Sequence, residues 1–383
     1  MPLSGVCFAP EHLARTSYNL TRARVTPRHV ELSPGIALPF EHDCFNFAAT
    51  LPRHASASWP ALSEHTTLHL FWRADLKPLG QRQTALIDSL LATQDKHTTS
   101  AILWTNDAVR LLDFAADGLP LDILLKRYGD RLRVQQVDKS QLASGTPMEE
   151  SSRLSLADKK AWLDGDLVRV LVLYQYGGIW VDMDSLATGR DLRVLAEHEW
   201  VTQWDCYGAR HPWLLTARSE TDMAMVVADK PYQPLNGALM HFLRHSPYLC
   251  EMLHIMATDP LPSPSSTDWG SRLYHTLYRR LLHAGIPPFK VLPWCFADGR
   301  SCRLDARLPD PFDPQATASF HPSRMDRLAR DTKNAWVIHL HNQWDKEFPK
   351  GGWIDELVLK DVAKAVVAYE SLTDPTVAED DLA

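Results

Sequence analysis

Asp182 and Asp184 stand one residue apart, on either side of Met183, at the end of the apolar run Ile179-Trp180-Val181. In an extended chain alternate side chains share a face, so both carboxylates point the same way. Two carboxylates that close repel unless a proton or a metal lies between them. A hard cation such as Mg²⁺ or Mn²⁺ takes a few carboxylates and fills its shell with phosphate oxygens, which makes this spacing a candidate metal-bridged diphosphate site. Asp166 and Arg169 lie upstream at i, i+3 on one helix face. The residues themselves leave two readings open. The two form an internal ion pair, or Arg169 reaches a phosphate or sugar pocket and Asp166 holds it there.

The elements that must position these groups are legible around them. Residues from about Ser155 to Tyr176 read as a helix, apolar nearly all round at its far end (Leu167, Val168, Val170 to Leu173), and such a helix is buried. Gly177-Gly178 supplies a left-handed cap and turns the chain straight into the strand that ends at the acids. Upstream, Thr66–Trp72 is a β-prone run and a helix follows over about Gln81–Thr93. Ala101–Trp104 is a short buried strand, a helix runs from Pro120 to Tyr128, and Arg131–Val137 alternates as a strand. This alternation predicts an α/β domain with a mostly parallel sheet and helices on both faces, with ligands beyond the carboxyl ends of the strands. Later, Trp200–Trp204 reads as a strand and Pro234–Met240 carries an Asn-Gly turn. Tyr248–Ala257 and Ser271–His283 read as helices, residues 287–325 as irregular, Trp336–Leu340 as a late strand and Trp353–Leu372 as a closing helix. Residues 1–65 are expected as an irregular N-terminal extension, 66–372 as a single catalytic domain and 373–383 as an acidic tail.

The chain has 383 residues, 45% of them apolar and 23% charged, enough to bury a large core. A formal charge of −7 argues against a general nucleic-acid binder. No CxxC or Cys/His cluster suggests zinc. The six cysteines do not read as a disulfide framework; free thiols are expected, with Cys295 and Cys302 close enough to pair across a loop. No apolar run reaches the ~18 residues of a membrane span, and no signal peptide is visible.

Taken together, Asp166-Leu167-x-Arg169 and Leu173-x-x-Tyr176-Gly177-Gly178-Ile179-Trp180-Val181-Asp182-Met183-Asp184 resemble the DXD-containing sugar transferases. The likeness is to glycosyltransferase family 32 and its α-1,4-galactosyl- and α-1,4-N-acetylglucosaminyltransferase relatives, with a pattern like SDxxRxxxLxxxGGxYxDxD. Gly165 stands for its Ser and Trp180 for its Tyr. Leu235-Asn236-Gly237-Ala238 resembles the family's NGA segment, Trp269-Gly270-Ser271-x-Leu273 its GP-x-L helix start, and Val337–Asn342 its VH-x-WN segment.

The resemblance implies the nucleotide-diphospho-sugar transferase (GT-A) fold, with a Rossmann-like first half. It implies metal-dependent transfer of a hexose or N-acetylhexosamine from a nucleotide-sugar donor to a carbohydrate or glycolipid-type acceptor, with retention at the anomeric carbon. Mn²⁺ or Mg²⁺ would be held by Asp182, Asp184 and His339. Arg169 would add positive charge at the sugar or phosphate, and Asn236 would meet sugar hydroxyls or the attacked face. Trp72, Asp166, Gly178 and Gly237 would border the donor, with Trp72 near the base. Asp205 is a candidate sugar contact, and the acceptor is expected over 206–234 and 287–325. Relatives imply the Golgi lumen, while the absence of a visible signal or anchor implies the cytoplasm. Two other readings of the acids are a haloacid-dehalogenase-type phosphatase with Asp182 as nucleophile, and a catalytically inactive transferase-fold binding protein.

Overall fold

The computed structural model describes residues 2–20, 30, 43–55, 65–113, 120–156, 158–203, 235–263, 266–300 and 307–373. Among them a seven-stranded sheet runs in the order β3-β2-β1-β4-β7-β6-β8. Its strands are β1 (Thr66–Trp72), β2 (Thr99–Thr105), β3 (Leu132–Gln136), β4 (Gly178–Val181), β6 (Trp200–Gln203), β7 (Leu235–Phe242) and β8 (Lys290–Leu292). β3, β2, β1 and β4 are mutually parallel, β7 runs against both β4 and β6, and β8 is parallel to β6. The α/β expectation and the mostly parallel first half hold. The acids lie just past the carboxyl end of the central strand β4.

Both faces of the sheet are covered, which is why β4 reads as a continuous apolar run. Ile179, Val181 and Met183 belong to one core cluster, and Trp180 to the other. The second cluster contains the helix Trp162–Tyr176, of which twelve residues from Leu163 to Tyr174 are buried. That helix starts later than its sequence suggests, because Asp158 caps the N–H groups of Trp162 and Leu163 at 3.0 and 2.9 Å.

Gly177 and Gly178 adopt φ of +67° and +100°. A Cβ on Gly177 would lie 2.6 Å from the Arg244 nitrogen, and one on Gly178 2.5 Å from the Thr67 oxygen. Both the backbone conformation and the close approach of neighbouring strands therefore demand glycine.

A second, two-stranded ribbon pairs β5 (Ser185–Ala187) with β9 (Val337–His339), antiparallel, with Ser185 opposite His339. This ribbon brings a late histidine beside the acids. Three sequence expectations need correction. Asn236-Gly237 is not a turn but lies inside β7, where the pairing with β6 shifts register between Val201 and Thr202. Residues 287–325 are not wholly irregular: they include β8, the short helix Trp294–Ala297 and the start of the helix Pro322–Asn334. The four cysteines among the described residues are not free, since Cys7 pairs with Cys250 and Cys44 with Cys295. Cys295 therefore does not pair with Cys302, which lies outside the described residues. These two bonds tie the N-terminal segment to the body of the domain, at Cys7, just before the helix Pro10–Arg15, and at Cys44, within the helix Asp43–Thr50.

Candidate active site

The acids are reached from four elements. Helix Trp162–Tyr176 contributes Asp166 and Arg169, the turn after β4 contributes Asp182 and Asp184, β7 contributes Asn236 and Gly237, and β9 ends at His339. β7 is fixed there by its ladder with β4, extended by the Asp182 N–H donating to the Ala238 carbonyl at 2.8 Å.

Asp182 and Asp184 do not share one face of an extended strand. β4 ends at Val181, and the Ser185 N–H closes a turn onto the Asp182 carbonyl at 2.9 Å. Asp182 turns toward the helix, where its Oδ1 accepts from Arg169 Nη2 at 2.8 Å and from Trp180 Nε1 at 2.7 Å. Asp184 turns toward β9. Its Oδ2 accepts the Asn342 N–H and lies 3.5 Å from His339 Nε2. The two carboxylates still converge: one ligand atom from each of Asp182, Asp184 and His339 lies within 4.8 Å of the others. Two carboxylates and an imidazole form a donor set suited to a divalent cation.

Arg169 is buried and donates to three partners. Nη1 serves Asp166 Oδ1 and the Tyr274 hydroxyl, both at 2.8 Å, and Nη2 serves Asp182. Arg169 is thus ion-paired to Asp166 and also bonded to Asp182. Burial outweighs the pull of Arg169 on Asp166 and pushes its carboxyl up to about 7. Tyr274 is likewise pushed above its ordinary range by burial. Gly237 makes room for this cluster, because a Cβ there would fall 2.0 Å from Arg169 Nη1 and 2.4 Å from the Tyr274 hydroxyl.

His339 has a carboxylate on each side. Nδ1 lies 2.9 Å from Asp298 Oδ2, and Nε2 faces Asp184. Burial disfavours its charged form, but the two carboxylates win and raise it well above an ordinary histidine. Asp184 and Asp298 are pulled the opposite way: burial alone would raise them, and the histidines hold both below the usual carboxylate range.

The other candidates fall in different places. Trp72 ends β1 at the same end of the sheet, its Nε1 donating to the Lys77 carbonyl at 2.7 Å and its ring edge-on to Trp344. Gly178 begins β4, at the end opposite the acids, where it serves the strand crossing. Asn236 has its amide engaged within the protein: Oδ1 accepts the Ala238 N–H at 2.8 Å, and Nδ2 faces Asp298 Oδ2 at 3.1 Å. Asp205 and the 206–234 segment lie outside the described residues. Reading the sequence missed Asp298 and Tyr274. Asp298 sits in a proline-broken stretch without periodicity, and Tyr274 reads as one more apolar position of an amphipathic helix.

Residues 80–200 match the model of a family described as a glycosyltransferase sugar-binding region containing a DXD motif. The chain carries a DXD-type glycosyltransferase region. The matched stretch ends sixteen to eighteen residues past the two acids and takes in Asp166, Arg169, Asp182 and Asp184. The family match makes this an enzyme of sugar transfer. No curated protein matches the chain. Among solved structures the chain is similar to PaToxG glycosyltransferase, at 11% identity and TM-score 0.36, over 78% of this chain and 94% of that one. It is also similar to an active-site mutant of LgtC, at 14% identity and TM-score 0.38, over 78% and 95%. A third is the bifunctional glycosyltransferase WbbM, at 9% identity and TM-score 0.41, over 80% of this chain and 50% of that one.

Proposed function

We propose that this glycosyltransferase moves a hexose or N-acetylhexosamine from a nucleotide sugar to a glycan or glycolipid-type acceptor, with retention and with a divalent cation, Mn²⁺ or Mg²⁺, held by Asp182, Asp184 and His339. The observation that carries the reading is the approach of those three side chains to within 4.8 Å at the carboxyl end of β4. A cation there supplies Lewis-acid stabilisation of the negative charge that builds on a departing diphosphate.

The protein groups divide the remaining work. Asp184 is buried and fixed by the Asn342 N–H, so it offers a rigid donor. Asp182 is more open, its side chain 27% exposed, and has one oxygen committed to Arg169 and Trp180. Arg169 balances the Asp166–Asp182 pair and orients the carboxylate that meets the donor. Asn236 acts as scaffold: its amide spans the β7 backbone and the Asp298 carboxylate. Among the described residues no helix is long and apolar enough to cross a membrane.

The test is donor hydrolysis by the purified full chain across a panel of UDP- and GDP-sugars, with Mn²⁺ and with chelator. One donor should be cleaved in a metal-dependent way, and Asp182→Ala and Asp184→Ala should each lose about 10²-fold or more. The anomer released to acceptor, read by NMR, reports retention. Metal-independent cleavage, or full activity in both variants, overturns the cation site. Absence of any donor turnover favours the inactive binding fold.

A further inference from the structure

Asp298 closes the short helix Trp294–Ala297, its N–H donating to the Trp294 carbonyl at 2.7 Å, and it is 1% exposed. One carboxylate there meets three side chains. Oδ2 lies 2.9 Å from His339 Nδ1 and 3.1 Å from Asn236 Nδ2, while Oδ1 lies 2.6 Å from His341 Nε2. The two imidazoles stack with centroids 4.2 Å apart and planes 27° from parallel.

The geometry resolves which nitrogen of His339 carries hydrogen toward Asp298. Asn236 Oδ1 accepts the Ala238 N–H, so the atom turned to Asp298 is the amide nitrogen, a donor. That nitrogen also lies 3.2 Å from His339 Nδ1. If Nδ1 were a bare lone pair it would face the Asp298 carboxylate at 2.9 Å with no proton between them. With a hydrogen on Nδ1, both it and the Asn236 amide donate to Asp298 Oδ2, and the close approach of Nδ1 and Nδ2 is that of two donors sharing one oxygen. Nε2 is then the nitrogen presented to the acids.

Asp298, His339 and His341 also form a second possible cation cluster. Ligands about 2.1 Å from one ion stand roughly 3.0–3.5 Å apart. The 3.5 Å between His339 Nε2 and Asp184 Oδ2 matches that spacing. The 2.9 and 2.6 Å from Asp298 to the two rings match direct hydrogen bonds instead.

We propose that Asp298 is a positioning residue for the cation site: it fixes the tautomer and tilt of His339 so that Nε2 faces Asp182 and Asp184, and it holds His341 by its other oxygen, outside the ligand set. The proposal rests on the cation site described above. A carboxylate behind a ligating histidine aligns the ring and strengthens it as a donor, and losing one costs about 10–100-fold in metal affinity.

The experiment is Mn²⁺ binding to the full chain, followed by the EPR signal of the free ion, together with pulsed-EPR detection of coupled imidazole nitrogen. The native chain should bind Mn²⁺ and show coupling to one imidazole. Asp298→Ala should weaken binding 10–100-fold, and Asp298→Asn, which keeps an acceptor oxygen, should recover part of it. His339→Ala should abolish the nitrogen coupling, and His341→Ala should leave it. Native-like affinity in Asp298→Ala overturns the positioning role while the cation site stands. Coupling to two imidazoles in the native chain, one of them lost in His341→Ala, overturns it in favour of the second cluster. Failure of the native chain to bind Mn²⁺ overturns the site itself and the proposal with it. Should Asp298→Ala not fold, native-like affinity in Asp298→Asn gives the same refutation.

Discussion

Arg169 donates to Asp182 Oδ1 at 2.8 Å from a helix that is otherwise buried among apolar side chains. It is the shared counter-charge of Asp166 and Asp182. Removing it leaves the buried Asp166 and the part-open Asp182 without a counter-charge, and breaking a buried pair in this way costs up to about 3–5 kcal/mol. Arg169→Ala should therefore lower the urea midpoint substantially. Arg169→Lys should fall between, because one ammonium cannot fork to the partners that Nη1 and Nη2 reach. A near-native midpoint for Arg169→Ala would show that the guanidinium is not what balances the acids.

Asp166 makes the same cluster sensitive to pH. Burial raises its carboxyl from 3.8 to about 7. A raised carboxylate means that the folded state prefers the proton. The stability it contributes is present in full below pH ~4 and is lost as pH rises through ~7. Native protein should lose melting temperature between pH 5 and pH 8. Asp166→Asn, which keeps an oxygen for Arg169 without the charge, should lose several degrees less. Equal losses in the two proteins would mean that Asp166 is ionised throughout, held by Arg169 alone.

The helix, the glycine pair and the position of the acids were legible from the sequence because each has a local cause. An all-round apolar helix must be buried, Gly177 and Gly178 hold φ values that other residues avoid, and Val181 is the last apolar residue before the acids. Asn236-Gly237 misled for an equally physical reason. The pair is a strong local turn signal, yet here the glycine answers to Arg169 and Tyr274, whose approach leaves no room for a Cβ. β5 is three residues long and forms only because β9 arrives to pair with it. Asp298 has no local signature at all, since its role exists only once β7, β9 and the helix Trp294–Ala297 meet. Cysteine pairing is of the same kind: connectivity depends on the fold and not on spacing.

Arg82 governs the loop behind His339. It is buried, and it donates to the carbonyls of Asn342 at 3.2 Å, Lys346 at 3.0 Å and Gln343. It also lies over the Phe312 and Phe348 rings at 4.8 and 5.5 Å. The loop needs this restraint. His341, Asn342 and Gln343 are all left-handed, at φ of 54°, 65° and 51°, which costs side-chain-bearing residues about 1–2 kcal/mol each. The Asn342 N–H that this conformation aims at Asp184 should be lost when the restraint is. Arg82→Ala should raise hydrogen exchange over 341–346 and weaken Mn²⁺ binding. Asn342→Gly, which keeps the N–H and relieves the strain, should leave both near native. Unchanged exchange in Arg82→Ala would mean that the loop holds its shape without the guanidinium.

The two disulfides should contribute unequally to function. Each closes a long span, 243 residues for Cys7–Cys250 and 251 for Cys44–Cys295, and removing either should cost about 2–5 kcal/mol. Only Cys295 lies on the helix that ends at Asp298, against which Phe45 also packs, edge-on to Trp294. Cutting that tie frees the helix carrying the carboxylate behind His339. The Cys7–Cys250 bond instead joins the first turn of the chain to the helix Pro247–Thr258, in the other core cluster. Cys44→Ser should therefore lower both melting temperature and Mn²⁺ affinity, whereas Cys7→Ser should lower melting temperature alone. Peptide mapping without reductant checks the pairing itself: recovery of Cys44 and Cys295 as free thiols in folded, active protein would refute this account, as would equal Mn²⁺ affinity in the two variants.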